Sequence, residues 1–227
     1  IGILARGIAE LERNPMPSQF AGIGRLLMEH IAAEMSYPLK GIFSNLWLFK
    51  PLVTYIFNSK PSTNALVTTT TAVTIVNGGN KRNVLPNTAM VHLNFRISPL
   101  DSVAKVVDHV KSIFLAVDPR FQFTIIDSLE PAPVSDPYSP TFEQFSSVIR
   151  TALPGVLVTP GIMVGNTDTR HFWGLSDNIY RFAPNILTQE LVDTLHNVNE
   201  RISKENMVNV INFYHQLILQ FASPQGK

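Results

Sequence analysis

Cysteine is absent from the 227 residues, which excludes disulfides and thiolate zinc sites but leaves the compartment open. No Asn-x-Ser/Thr glycosylation sequon occurs, which fits an intracellular protein and does not exclude a secreted one. An excess of one charge sign is missing as well: 18 Lys and Arg stand against 17 Asp and Glu, for a net charge of +1. With no basic field and no aromatic-plus-basic stripe, nucleic acid is excluded as an expected partner. No apolar run reaches membrane-spanning length. The strongest, residues 42–58 (IFSNLWLFKPLVTYIFN), is too short and is broken by Lys50-Pro51. Two readings of it stay open: part of a buried helical insertion at about 18–62, or a greasy surface for acyl chains or membrane. No two of the histidines form an His-x-x-x-His pair. Internal repeats and low-complexity tracts are also lacking.

The chain has 45% hydrophobic residues, enough for a packed core in one large domain or two small ones. It opens on Ile1, not Met, and Ile1, Leu4, Ile8 and Leu11 fall at helical spacing with no capping residue before them. The expectation is a chain cut from a longer protein, for which a missing targeting signal carries no weight.

Periodicity predicts a helix over 1–13 closed by Asn14-Pro15, a β-branched strand over 65–76, and a turn at Asn77-Gly78-Gly79. Over 88–97, Ala89, Val91, Leu93, Phe95 and Ile97 alternate with Met90, His92, Asn94 and Arg96, a strand with one buried face. Residues 102–117 carry one stripe (Val103, Val106, Val107, Val110, Ile113, Phe114, Val117) behind Asp101 as a candidate N-cap. Phe121, Phe123 and Ile125 alternate as a further strand. This order is a ferredoxin-like βαββαβ unit lacking its first strand.

After a linker at Glu130–Pro133, Ser139-Pro140 predicts a helix start, Val156–Val164 and Asn178–Phe182 buried strands, and Ser203 the cap of a last helix. That helix would turn Met207, Val210, Ile211, Tyr214, Leu217, Ile218 and Phe221 inward. The fold class expected is α/β, with residues 1–129 as a small inserted domain and 130–227 as part of a parallel-type layer.

Three polar strings stand out. His196, in Leu-His-Asn-Val-Asn-Glu200, has the imidazole that zinc prefers; an isolated His is more often an ordinary residue. Arg96, on the polar face of a strand, has the planar fork that suits a carboxylate, and Asn83, in Asn83-Val-Leu-Pro86, has an amide able to donate to an oxyanion. A salt-bridged surface Arg and a turn-forming Asn are the plainer alternatives. In Val164-Gly-Asn-Thr-Asp-Thr-Arg170, Gly165 permits close approach of backbone to a ligand, while Asp168 and Arg170 form a cap, an ion pair or a substrate clamp.

These strings occur in order with NPMP (14–17), SNLWLFKPL (44–52), TNALVTTTTAVTI (63–75), NVLP and NFR thirteen residues apart from Asn83 to Arg96, GNTDTR and HNVNERIS. Over essentially its whole length the chain resembles the carboxypeptidase S and aminoacylase family of co-catalytic zinc metallohydrolases. It resembles most the branch that makes and breaks N-fatty-acyl amino acids. The resemblance implies a βαββαβ lid domain used for dimerisation, followed by the C-terminal part of an α/β zinc-peptidase catalytic domain. It implies that His196 is the last zinc ligand and that Asn83 and Arg96 hold the substrate carboxylate and scissile carbonyl oxygen. Arg170 becomes a second anion-binding arginine, in a loop shaped by Gly165 and Asp168. In dimeric relatives some lid groups reach into the partner's active site.

The family pattern also needs an upstream His-x-Asp, a Glu-Glu pair, a further acidic ligand and a lid His, none of which is present. The intact protein is therefore expected to bind one or two zinc ions and cleave the amide bond of peptides or N-acyl amino acids bearing a free carboxylate. The 227 residues alone are expected to be inactive. The competing expectation is a non-catalytic dimerisation or carboxylate-binding module.

Overall fold

The computed structural model describes residues 1–163, 165 and 167–222. They divide into two compact units: Ile1–Pro133 with Gly161–Asn166, and Val134–Pro160 with Thr167–Lys227.

The first unit begins with helix α1 (Gly2–Arg13), which buries Leu4, Gly7 and Leu11 along one stripe. Gly7 is needed there, because a Cβ would lie 2.7 Å from the Phe114 ring. Helices α2 (Gly22–Ala32), α3 (Leu39–Ser44), α4 (Leu46–Asn58) and α5 (Pro61–Asn64) follow as a helical insertion. Phe20, Met28, Leu46, Val53, Phe57 and Val67 form its core, so the apolar 42–58 stretch is helical and buries only one of its faces. No helix among the described residues is long and apolar enough to cross a membrane.

Strands β1 (Thr70–Gly78) and β2 (Ala89–Arg96) form an antiparallel hairpin in which Thr70 pairs with Arg96 and Gly78 with Ala89, with a register shift at Val73/Ile75. β1 begins later than the predicted 65–76, because residues 65–69 are used otherwise. Val67 N–H bonds to Asn64 O in a turn (3.0 Å), and Val67 O accepts from Gln19 N–H (2.6 Å). The predicted inward face of β2 is observed: Ala89, Val91, Leu93 and Phe95 pack on Leu4, Leu11, Val110 and Phe114.

Helix α6 (Val103–Val117) buries Val106, Val110 and Phe114. Its N-cap is Ser102, whose Oγ accepts from Lys105 N–H (3.3 Å), and not Asp101. The Asp101 carboxylate instead accepts from Thr69 Oγ1 (2.5 Å) and Gln19 Nε2 (3.1 Å), binding the helix start to the insertion. The predicted strand at Phe121–Ile125 is not a strand. Its rings do pack edge-on against Phe114, Phe121 at 4.9 Å and Phe123 at 6.1 Å, but the described sheet is the two-stranded hairpin alone. Apolar alternation supplies a buried face, whereas a strand also needs a neighbour for its N–H and C=O groups.

In the second unit, helix α7 (Pro140–Ala152) starts as expected, with Ser139 Oγ accepting from Phe142 N–H (3.1 Å). A 3-10 helix (Asp168–Phe172), the short α8 (Gln189–Val192) and α9 (Lys204–Ala222) follow. Ser203 caps α9, its Oγ accepting from Asn206 N–H (3.0 Å). The core is Val148, Ile149 and Phe213, with Phe145, Phe182 and Leu217 beside it. The strand expected over Asn178–Phe182 is irregular chain without a ladder, as are the described residues of Val156–Val164, Val164 itself lying outside them. The stripe predicted to face inward on α9 largely faces out: Met207, Ile211, Tyr214, Ile218 and Phe221 are exposed, and Phe213 and Asn206 are the buried positions. A mixed helix and strand architecture is therefore established, with a much smaller sheet than α/β layering predicts.

Candidate functional site

Asn83 lies exposed in the turn joining β1 to β2, and Arg96 is the last, exposed residue of β2. They stand at opposite ends of the hairpin, since the eight residues from Ala89 to Arg96 extend roughly 23 Å at about 3.3 Å per residue. One copy of the hairpin does not bring these two side chains together. The Arg96 end is firmly anchored. Two residues beyond it, Ser98 N–H donates to Thr69 Oγ1 (3.0 Å), and the Thr69 hydroxyl donates to Asp101. Thr69 is 1% exposed, so this pair of bonds fixes the strand exit in a water-poor environment.

In the Gly165–Arg170 string, Asn166 lies outside the described residues. Gly165 does not end a strand. A Cβ built on it would meet only the mobile end of Met163, 3.3 Å away. Asp168 opens the 3-10 helix as its first residue, and the N-cap position belongs to Thr167. Arg170 is exposed on that helix; its N–H bonds to Thr167 O (3.3 Å) and its Nε donates to His171 Nε2 (3.2 Å). The loop is pinned from behind by Arg181. Its Nε donates to Thr167 Oγ1 (3.2 Å) and Thr169 Oγ1 (3.0 Å), and those two hydroxyls are 2.5 Å apart. Arg181 was not singled out in the sequence, although a cation inside the apolar run Ile179–Phe182 is the signal that marks it.

His196 is exposed in the turn between α8 and α9, with φ of 60°, and Asn199 follows at 65°. Left-handed backbone is uncommon for residues with a Cβ, though His and Asn are among those that tolerate it best. The turn is closed by Arg201, which binds Glu190 through its Nη2 and Asn199 O through its Nη1 (3.1 Å). Zinc requires three or four protein ligands. Among the described residues there is no group of three or more His, Cys, Asp or Glu able to hold a metal. The residues in hand thus do not fit a complete zinc centre, and His196 can be no more than one ligand of such a centre.

A family model, the peptidase dimerisation domain of the M20 group, matches residues 1–122. The chain is 42% identical over 96% of its length to a probable carboxypeptidase S-like 2 of Dictyostelium discoideum, covering 42% of that protein. It is 43% identical over 96% of its length to the N-fatty-acyl-amino acid synthase/hydrolase PM20D1 of Xenopus tropicalis, covering 43% of it. Carboxypeptidase S of Saccharomyces cerevisiae is 32% identical over 96% of the chain, with 44% of that protein covered. The chain thus spans less than half the length of these relatives. No solved structure gives a significant match. With the family model covering more than half of its residues, the chain belongs to the M20 peptidase dimerisation-domain family.

Proposed function

We propose that the 227 residues are the lid domain (1–129) and the C-terminal catalytic portion (130–227) of an M20-type amide hydrolase. Its substrates are peptides or N-acyl amino acids with a free carboxylate; relatives carry the names carboxypeptidase S-like and N-fatty-acyl-amino acid synthase/hydrolase. The lid topology is a βαββαβ unit completed in a longer polypeptide, which supplies the first strand and gives residues 121–125, without a ladder among the described residues, the neighbour they need to form the last. The observation that carries this reading is the similarity, over 96% of the chain, to carboxypeptidase S-like and N-fatty-acyl-amino acid synthase/hydrolase relatives. His196, the candidate ligand, is presented to solvent in a polar turn at φ of 60°.

Arg96 and Arg170 offer planar donor pairs to carboxylate groups, and each projects from a segment anchored from behind. The Asn83 amide donates to the substrate carbonyl oxygen. Gly165 and Asp168 shape the loop that carries Arg170. Because Asn83 and Arg96 occupy opposite ends of the hairpin, they serve one substrate when two copies of the lid meet, Asn83 from one copy and Arg96 from the other. Zinc, as one or two ions, belongs to the intact enzyme, where His196 is one ligand and the longer polypeptide supplies the rest. The 227 residues alone are inactive.

The test uses the full-length coding sequence. Asn83→Ala and Arg96→Ala variants are each inactive on an N-acyl amino acid. Co-expressed, they recover activity, since one site of the mixed dimer receives both intact residues. Failure to recover, with both variants dimeric, rejects the shared site. His196→Ala lowers the zinc bound per chain, and unchanged zinc content rejects its assignment. A purified 227-residue chain that hydrolyses the same substrate with added zinc removes the claim that it is only part of the enzyme.

A further inference from the structure

Helix α4 is apolar on two sides, and the structure buries only one. Leu46, Val53 and Phe57 face the insertion core. On the other side, Trp47, Pro51 and Tyr55 form one row at four-residue spacing, and Leu48, Leu52 and Ile56 form a second row beside it. Trp47 is 80% exposed and Tyr55 73%, with Leu48, Leu52 and Ile56 all exposed as well. Tyr37 and Leu39, at the entry to α3, add to the exposed apolar surface of the insertion. A helix with apolar residues all round is normally buried all round.

The charge around this face is one-sided. From Met35 to Leu100 there is no Asp or Glu, while Lys40, Lys50 and Lys60 lie in the insertion itself. That contrasts with the near balance of the whole chain. A face of Trp, Tyr and aliphatic side chains on a helix whose own charge is cationic, in an insertion where Arg25, Lys40, Lys50 and Lys60 outnumber Glu29 and Glu34, matches an interfacial, lipid-seated surface. In an α4-to-α4 contact between two copies Lys50 would meet Lys50, and α4 itself supplies no carboxylate to relieve them.

We propose that the outward face of α4 docks on an anionic phospholipid surface, with Trp47, Leu48, Leu52, Tyr55 and Ile56 entering the interface and Lys50 and Lys60 contacting the headgroups. The helix lies along the membrane plane: at 13 residues it is too short to span. This inference does not depend on the hydrolase reading.

The test is sedimentation of the 227-residue chain with phosphatidylcholine vesicles, with and without phosphatidylserine. The chain cosediments with the anionic vesicles, and added salt weakens binding. Trp47→Ser with Tyr55→Ser lowers the partition coefficient by at least about tenfold. Trp47→Phe retains most of the binding, and circular dichroism of both variants reports an unchanged helix content. Lys50→Gln and Lys60→Gln each cost about fivefold on anionic vesicles. Ile211→Ser with Ile218→Ser, which alters the exposed face of α9, leaves binding unchanged. In a Trp173→Phe chain, Trp47 is the sole tryptophan, and its emission shifts to the blue on anionic vesicles. The proposal is overturned by absence of binding to anionic vesicles, or by equal binding of the Trp47→Ser/Tyr55→Ser chain. An equal loss in the α9 variant overturns it in favour of general apolar adhesion. Conversion of a dimer to a monomer by Trp47→Ser/Tyr55→Ser, without vesicle binding, overturns it in favour of a second copy on this face.

Discussion

The two units treat their apolar residues differently. In Ile1–Pro133, α1 and α6 close over one face of the hairpin, and α2 to α4 close around Phe20, Val53 and Phe57, giving two separate clusters. In the second unit α7 and α9 meet around Val148, Ile149 and Phe213, and α9 leaves Met207, Ile211, Ile218 and Phe221 on its surface. The contrast follows from where hydrogen-bond partners come from. A helix satisfies its own backbone and needs only one apolar stripe covered, so all the long predicted helices are present. A strand borrows its partners from a neighbour. The first unit holds one complete hairpin and keeps it; among the described residues the runs at 121–125, 156–163 and 178–182 have no strand ladder and stay irregular.

The sharpest way to break this contrast is Phe114→Ala. Phe114 is 2% exposed, touches Phe121 and Phe123, and is the reason position 7 is glycine. Its loss is expected to cost about 3–5 kcal/mol. Hydrogen exchange should show protection falling across residues 1–133 and persisting in α7 and α9; equal loss in both units would dissolve the distinction between them. Next is Asn206→Ala in the second unit. The buried Asn206 amide accepts from Ile186 N–H (2.9 Å) and donates to Ile186 O (3.1 Å), substituting for the ladder that this segment lacks. Stranding those groups should cost about 1–3 kcal/mol in urea unfolding of the second unit, and a change near zero would mean water replaces the side chain.

Smaller still is Ile211→Lys with Ile218→Lys on α9. Each change should stay within about 0.5 kcal/mol in the 227-residue chain, because both side chains already face solvent. The same pair should sharply destabilise a longer polypeptide whose added residues cover that face. The smallest effect belongs to Asp118. Side-chain and backbone hydrogen bonds from Arg120 pull its carboxyl down to about 2 from an ordinary 3.8. A depressed folded-state pKa contributes stability that is present above the unfolded value and lost as the pH falls through the folded one. The first unit should therefore weaken slightly between about pH 4 and pH 2, and Asp118→Asn should remove that part of the slope. The pair lies at the surface, so added salt should shrink the effect.

Helices were legible in the sequence because their signals are local. Ser139-Pro140, Ser203 and the Val106–Val110–Phe114 stripe state start, cap and buried face within one segment. The cap of α6 shows the limit. Asp101 and Ser102 both qualify by residue type, and the choice was made by Thr69, more than thirty residues upstream, which engages the Asp101 carboxylate. The inward face of α9 was misassigned because periodicity reports that a stripe is apolar and not whether anything in the same chain covers it. The polar strings were visible as strings. Their geometry was not: nothing local says that Asn83 and Arg96 sit at opposite ends of a hairpin, that Arg181 holds the loop bearing Arg170, or that His196 adopts left-handed backbone.

The hairpin also acts as a ruler. From the Gly78–Ala89 pair to the Thr70–Arg96 pair its length fixes how far Asn83 is carried from Arg96. Deleting two residues from each strand would shorten that span by about 7 Å and keep every side chain on its own face, whereas deleting one from each would turn Val91, Leu93 and Phe95 out to solvent. Unless a further bulge of the kind at Val73/Ile75 absorbs a single residue, the reach of the domain is therefore adjustable in steps of two, set by the pleat.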